Sequence, residues 1–289
     1  MNRLCRSLCV VLLVLLLSPG VAAQELDEQP AKQVHWATAA FFGTGWYRVA
    51  DNRSSYIFRI PPRQTLSKAG WDEQGERRLG WEILYPLALG LHKLDDLPDF
   101  IELDNYSTIT FTPGVAVEVP INERWHLRPY LHLGVGYEST KDEWARIFYG
   151  GVNSRLRMSE DEDTAWSLLG ALYYAGYKPS FKSRGRYGSI MFGAETNRRL
   201  DGFELFGETT WLNAHLTYDY FFDNINFNVS PTEQVSIRDT WELGVSLGYG
   251  GQKVKIGWFS FEHLGLSYKW SSNGKYQAIS FNLRSPFTR

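Results

Sequence analysis

The stretch WHLRPYLHLGVGYE, from Trp125 to Glu138, decides the fold class. Its odd-numbered positions are all apolar, whereas its even-numbered positions carry polar residues, glycine or tyrosine. A period of two is the signature of a β-strand with one apolar face. At 14 residues the stretch is far longer than the average strand of about five or six residues. The same alternation covers Thr108 to Val119, so the pattern predicts two consecutive long strands.

Ten further segments follow a similar rhythm. Strands are predicted at 35–49, 54–61, 79–91, 144–157, 163–177, 186–197, 203–219, 241–249, 254–270 and 275–284. Together with the first two they make about 12 strands in one domain, since no linker-like stretch divides the chain.

The connections between these strands alternate in length. Short turns are predicted at 120–124, 159–163, 198–202 and 250–252, and longer connections at 94–104, 178–186 and 220–236. Outer-membrane barrels have short periplasmic turns and longer outer loops. The long 62–77 connection breaks this order, so either the first strands are miscounted or this segment folds into the lumen.

The N-terminal residues are typical of a cleaved signal peptide. Arg3 and Arg6 precede an apolar run from Cys9 to Leu17, and small residues follow up to Ala23. This nine-residue run is too short for a membrane-spanning helix, which needs about 20 residues. We therefore expect a signal peptide at 1–23, a short periplasmic or lumenal leader at 24–34 and a barrel domain at 35–289. Both cysteines of the chain lie within the signal, so the mature chain has no disulfide and no thiolate metal site.

Composition and charge exclude several classes of protein. Aromatic residues make up 15% of the chain, and 30 basic residues nearly balance 32 acidic ones. Such a chain is neither disordered nor a nucleic-acid binder. No stretch of 18 apolar residues follows the signal, so a membrane location requires a closed β-barrel.

The alternative is a secreted β-sandwich, which also shows alternation. The face opposite the apolar one is rich in glycine, threonine and charged residues, which would make a poor dry core. Aromatic residues also lie near strand ends, as Trp81 with Tyr85 and Trp125 with Tyr137. Amphipathic rings are stable at the two membrane interfaces, so a transmembrane antiparallel barrel is the favoured prediction.

Several long strands resemble those of autotransporter translocator barrels, especially solitary barrels without a passenger. The resemblance rests on TWLNAHLTYDYFF from Thr210, TWELGVSLGYG from Thr240 and the terminal strand from Tyr276 to Leu283. It implies a non-enzymatic protein of the bacterial outer membrane, surrounded by outer-membrane lipid and inserted by the barrel-assembly machinery. Its role would be structural or that of a narrow pore.

Two features depart from that family. The 11 residues between the signal and the first strand leave no room for a passenger domain. Such barrels also commonly finish on an aromatic residue, whereas Phe287 is followed by Thr288 and Arg289. Because Phe281 and Phe287 share the apolar parity, we expect the terminal assembly signal to be displaced by two residues.

A lipid hydrolase is the first alternative function, and a small substrate-specific porin is the second. Outer-membrane phospholipases and lipid A deacylases place a His and a Ser two residues apart on a strand, whereas His263 and Ser267 lie four apart. Four residues span about 13 Å, beyond the ~3 Å that joins a nucleophile to its base. The sequence therefore predicts no enzymatic activity and no catalytic residue.

No cofactor or metal site is predicted either. His126 and His132 are six residues apart, which is not a zinc spacing, and the acidic turn from Glu160 to Asp163 lacks the ligand spacing of a calcium loop. We expect both histidines to form hydrogen bonds in a wet lumen. Other charged residues are also predicted to face inward: Glu82, Glu118, Arg128, Glu138, Glu242, Lys253 and Lys255.

Overall fold

The computed structural model describes residues 43–50, 53–93, 106–139, 142–180, 185–205, 208–228, 234–249, 254–256 and 259–288. All of them belong to one compact unit, Ala31–Arg289. The predicted signal peptide and leader lie outside these ranges. No helix of the described ranges is long and apolar enough to cross a membrane.

The described chain is built from β-strands. In chain order they are β1 Gly45–Val49, β2 Arg53–Ile60, β3 Arg63–Ser67, β4 Gly70–Trp71, β5 Arg77–Arg78, β6 Gly80–Leu84, β7 Leu87–Lys93, β8 Tyr106–Phe111, β9 Gly114–Pro120, β10 Trp125–Glu138, β11 Glu143–Glu160, β12 Thr164–Pro179, β13 Gly185–Leu205, β14 Glu208–Asn228, β15 Gln234–Gly248, β16 Val254–Ile256, β17 Phe259–Phe261, β18 His263–Trp270 and β19 Tyr276–Asn282.

Twelve of these strands form a closed antiparallel ring. The order around it is β1, β2, β7, β8, β10, β11, β12, β13, β14, β15, β18 and β19, and β19 pairs back with β1. Each strand neighbours the one before it along the wall, so the topology is a simple meander. The prediction of an all-β barrel of about 12 strands is confirmed.

Prolines interrupt three adjacent strands at the same level of the wall. Pro61 and Pro62 separate β2 from β3, Pro86 separates β6 from β7, and Pro113 separates β8 from β9. The breaks lie side by side because Leu87 is paired with both Ile60 and Phe111. Proline has no N–H to donate to a strand ladder, so the ladder stops here. We call these four residues the proline crease.

The wall nevertheless continues across the proline crease. Backbone hydrogen bonds bridge it from Tyr85 N to Pro62 O (2.9 Å), from Thr112 N to Pro86 O (3.2 Å) and from Leu133 N to Pro113 O (3.0 Å). Beyond it, β3 pairs with β6 and β6 with β9, so three wall strands extend past the ring. The 62–77 connection therefore consists of β3 and the small β4–β5 hairpin, which is neither of the two arrangements expected from the sequence.

Adjacent side chains of β10 point to opposite faces of the wall, as the alternation predicts. Leu131 and Leu133 are 50% and 60% exposed on the outer face, whereas Arg128 and His132 are buried inside. The same outer face carries Trp81, Trp125 and Tyr268. On β10 the charged side chains are thus inside and the aliphatic ones outside, which is the inverse of a soluble sandwich and typical of a barrel in lipid.

Several predicted boundaries are wrong. The predicted turn at 198–202 lies within β13, where Gly202 has φ 71° and the register with β14 shifts between Arg199 and Glu204. The pairing resumes after this irregularity, so both strands run on to 21 residues. The segment 254–256 is not part of the wall strand, because β16 pairs with β17 in a separate hairpin and β18 begins at His263.

The end of the last strand also differs from the prediction. Strand β19 ends at Asn282, and Phe281 is exposed on the outer face. Phe287 does not share that face, because the chain turns inward after β19 and buries its ring. The predicted parity, which placed Phe287 on the apolar outer face with Phe281, is therefore wrong.

Candidate functional site

The segment 283–288, which follows β19, turns into the lumen. Phe287 is 1% exposed and packs against Leu169 and Met191, two lumen-facing side chains of β12 and β13. The guanidinium carbon of Arg155 lies 4.5 Å from the centre of the Phe287 ring, on its face. Burial of an aromatic ring and a cation over its face both favour this position.

Three polar contacts fix the same segment at separate points of the wall. Asn153 Nδ2 donates to the Phe287 carbonyl oxygen (2.9 Å). Arg284 Nη2 donates to the Pro61 carbonyl oxygen at the proline crease (2.8 Å), and Thr288 Oγ1 donates to Glu262 Oε2 (2.9 Å). The 283–288 segment is therefore anchored to β11, to the crease and to the residue that precedes β18.

Glu262 belongs to a partly buried chain of charges. Arg63 Nη2 lies 2.8 Å from Glu262 Oε1, and Arg63 Nη1 lies 3.3 Å from Glu82 Oε2. Glu82 Oε2 is also 2.9 Å from Arg128 Nη2. Arg63 thus joins two carboxylates that the sequence places 180 residues apart.

The pKa of Glu262 reflects this position. Burial alone would raise the pKa of the carboxyl, but the charge of Arg63, the hydroxyl of Thr288 and the charge of Arg284 outweigh it. The pKa therefore lies below its usual value of 4.5. The ionised carboxylate is the form that holds the 283–288 segment.

Aromatic side chains line the lumen beside these charges. The rings of His132 and Tyr149 are stacked with centroids 4.2 Å apart, and His132 Nδ1 donates to the Thr112 carbonyl oxygen (2.8 Å). Arg59 Nη2 donates to Tyr149 Oη (3.4 Å). The prediction that His132 forms a hydrogen bond is confirmed, and its ring is buried against that of Tyr149.

A second polar cluster joins β14, β15 and β18. Glu242 lies 3.0 Å from Lys269 Nζ and 3.3 Å from His215 Nε2, and the His215 side chain is fully buried. Gly244 makes room for this histidine, because a Cβ at that position would lie 2.2 Å from His215 Cε1. No motif or spacing in the sequence distinguishes His215. Its parity with Asn213 and Thr217 places it on the polar face of β14, but only the strand register brings it to Glu242.

Gly244 is paired with His215 on β14 and with Ser267 on β18. The Ser267 hydroxyl and the His215 ring therefore both lie beside Gly244. Among the described residues, neither Ser267 Oγ nor His263 Nε2 has a hydrogen-bond partner, although both atoms are buried. These two atoms therefore do not form the hydrogen-bonded nucleophile and base of a hydrolase, in keeping with their spacing in the sequence.

The other charged residues that were predicted to face inward are placed as follows. Arg128, Glu138 and Glu242 are buried, and Glu118 accepts a 2.8 Å contact from His126 Nδ1. Lys253 lies outside the described residues, as does the side chain of Lys255. Within the described ranges no group of three or more His, Cys, Asp and Glu side chains is arranged to hold a metal ion. At the acidic turn, Glu160 pairs with Arg157, and Asp163 lies 3.5 Å from Arg199.

Together these features define a closed, twelve-stranded antiparallel β-barrel with polar side chains and an inturned segment in its lumen. No protein-family model matches the chain, and no curated protein matches it. Among solved structures it is similar to the beta domain of the Bordetella autotransporter BrkA, at 11% sequence identity and a TM-score of 0.47. The match covers 82% of this chain and 92% of that chain. The strand pairing itself confirms the closed antiparallel barrel of about 12 strands that the resemblance implied.

Proposed function

We propose that this protein is a non-enzymatic barrel of the bacterial outer membrane, with a structural role and a lumen that its own 283–288 segment keeps closed. The observation that carries the proposal is the burial of Phe287 among Leu169, Met191 and Arg155. An anchored segment in the lumen would obstruct an open channel, whereas its contacts with the wall stabilise a barrel that has a structural role.

The apolar outer face supports the membrane location. Leu131, Leu133 and Val135 on one strand, and Leu264 and Leu266 on another, are each about half exposed or more. Exposed apolar side chains on separate strands of the wall are costly in water and favourable in lipid. In this proposal the 1–23 signal peptide directs export, the barrel-assembly machinery inserts the chain, and the barrel works without a passenger.

The two alternative functions are less well supported. A lipid hydrolase needs a reachable nucleophile, but the Ser267 hydroxyl is buried. A substrate-specific porin needs a continuous path, but the described lumen holds a cavity of about 220 Å³ bordered by Pro286, Thr288 and wall side chains. The porin alternative would require the 283–288 segment to leave its site.

Conductance in planar lipid bilayers tests the closed lumen. We expect the unaltered barrel to conduct poorly and Phe287→Ala to conduct more often and for longer, because the variant removes the ring that anchors the segment. Phe192→Ala is the matched control, since Phe192 is 57% exposed on the outer face and its loss leaves the lumen unchanged. A steady conductance in the unaltered protein that Phe287→Ala does not change would favour the porin.

A further inference from the structure

Arg284 carries a charge that its described surroundings do not balance. The residue is 9% exposed, and its Nη2 atom donates a hydrogen bond to the Pro61 carbonyl oxygen (2.8 Å). Within the described ranges, its buried Nε atom has no hydrogen-bond partner and no carboxylate forms an ion pair with it. A buried cation is costly unless an anion and hydrogen bonds compensate it.

The cavity beside Arg284 has an excess of positive charge. Four cationic side chains line it, whereas only two carboxylates do. The cations are Arg59, Arg128, Lys269 and Arg284, and the carboxylates are Asp219 and Glu242. Beyond the lining, Arg63 lies between Glu82 and Glu262. When Arg63, Glu82 and Glu262 are included, five cations face four carboxylates. The excess of positive charge is therefore smaller, but it remains.

The pKa of Arg284 agrees with this imbalance. Burial lowers the pKa of the guanidinium most, and the charges of Arg63 and Arg59 lower it further, to about 9. Glu262 and Glu82 act in the opposite direction without reaching ion-pair distance. At neutral pH the group is still charged, so an additional anion beside it would be stabilised.

We propose that this lumenal cavity is a binding site for a phosphate group, with Arg284 as its anchor and Arg59 as a second donor. The planar guanidinium donates two parallel hydrogen bonds to an oxyanion, and its free Nε–H is one of the donors that suits this geometry. A phosphate carries about −1.5 to −2 charges near pH 7, which matches the excess of the lining residues. The cavity of about 220 Å³ has room for it.

The phosphate could be free in solution or carried by a lipid. A second cavity, of about 320 Å³, is also lined by Arg59 and Arg284. Its remaining lining includes Phe58 and Phe281, which are both 53% exposed on the outer face. The two arginines thus lie between the lumen and an apolar groove, and the experiment has to separate these two sources.

Binding is measured on the purified barrel in a neutral maltoside detergent. Inorganic phosphate is titrated at constant ionic strength against chloride, with ³¹P line broadening and the thermal unfolding midpoint as readouts. We expect saturable broadening and a midpoint that rises with phosphate. Arg284→Gln should weaken phosphate binding at least tenfold. Arg199→Gln removes the same charge from β13, outside the lining of both cavities, and should leave binding unchanged.

A second variant guards against loss of the 283–288 segment. An increase in bilayer conductance for Arg284→Gln would mean that the 283–288 segment has moved. In that case the phosphate site is tested with Arg59→Gln, because Arg59 lies on the wall strand β2 and not on the segment. At least tenfold weaker phosphate binding in Arg59→Gln supports the site. The proposed site is overturned if the unaltered barrel shows no saturable phosphate binding. It is also overturned if Arg284→Gln or Arg59→Gln binds phosphate as tightly as the unaltered barrel.

The source of the phosphate is tested in parallel with dihexanoyl phosphatidic acid, a short-chain lipid that carries a phosphate group. Tighter binding of this lipid than of inorganic phosphate, with the same loss in Arg284→Gln, supports the site with a lipid as its ligand. Equal affinity supports the site with a free oxyanion. Both measurements are independent of conductance, so a barrel that proves to be an open pore leaves the phosphate site standing.

Discussion

At the scale of single residues, Leu131 and His132 show how one peptide bond separates two environments. Leu131 is 50% exposed on the outer face, whereas His132 is 4% exposed and stacked on Tyr149. The side chains of a strand alternate between its two faces, so neighbours in sequence meet different solvents. His132 is held by a ring and a carbonyl oxygen, and a bulkier cation there would displace both.

Leu131 provides a direct test of the outer face. Near the middle of the bilayer, an arginine on the lipid side of a barrel costs roughly 2–4 kcal/mol. Leu131→Arg should therefore lower the free energy of unfolding by about that amount in urea titrations of the barrel in lipid vesicles.

Leu131→Trp is the informative companion. A lipid-facing site accepts the larger apolar ring, while a close-packed interior would be strained by about 1–3 kcal/mol. Comparable losses for both variants would mean that Leu131 faces a packed core and that the outer face is assigned wrongly.

At the scale of elements, the 283–288 segment and the turn before β18 act together. Glu262 accepts hydrogen bonds from Thr288 Oγ1 and also pairs with Arg63 at the start of β3. The segment is thus joined through one carboxylate to a strand that begins more than two hundred residues earlier in the chain. Protonation of that carboxylate weakens both contacts.

The attachment of the segment should depend on acid pH. In the folded barrel the pKa of Glu262 lies below its usual value of 4.5. The stabilisation from this carboxylate is therefore complete above about pH 4.5 and is lost as the pH falls through the lowered pKa. A cysteine introduced as Pro286→Cys should react with a thiol reagent faster as the pH falls through this window, after correction for the intrinsic pH dependence of the reagent.

Glu262→Gln supplies the control for this measurement. The amide cannot ionise, so the variant should label faster at neutral pH and lose the additional rise in acid. If the variant keeps the acid-dependent rise of the unaltered sequence, another group controls the segment.

At the scale of the whole molecule, closure of the strand ring determines how the chain can reside in lipid and how it unfolds. Twelve strands pair around the wall without a free edge in the ring, and the breaks at the proline crease are bridged by backbone hydrogen bonds. A closed ring satisfies its backbone groups internally, which is the requirement for residence in lipid. It also means that unfolding must break a whole strand interface.

Cell fractionation tests this view of the molecule. We expect the mature chain to sediment with outer membranes and to migrate at a different apparent mass in unboiled and boiled samples, because detergent alone does not open the ring. Recovery in the soluble periplasmic fraction, with the same migration before and after boiling, would contradict the membrane barrel.

Much of the barrel can be predicted from sequence because alternation is local. In the strand from Trp125 to Glu138, the alternation within 14 residues identifies the apolar and the polar face. The count of about 12 strands follows because the same pattern is repeated along the chain. The strand boundaries do not follow from the sequence where the alternation is broken. Gly202 looks like a turn in sequence, yet the paired strand β14 carries the ladder past it.

The sequence by itself determined the strand period, the apolar outer face and the polar inner one, because each depends on neighbours a few residues apart. Only the tertiary structure decided which inner residues meet. His215 and Glu242 are 27 residues apart, and Asn153 and Phe287 are 134 apart. Such contacts depend on the register of separate strands and on ring closure, which no local period encodes. The inward turn of Phe287 has the same cause, since its partners are supplied by strands on another part of the wall.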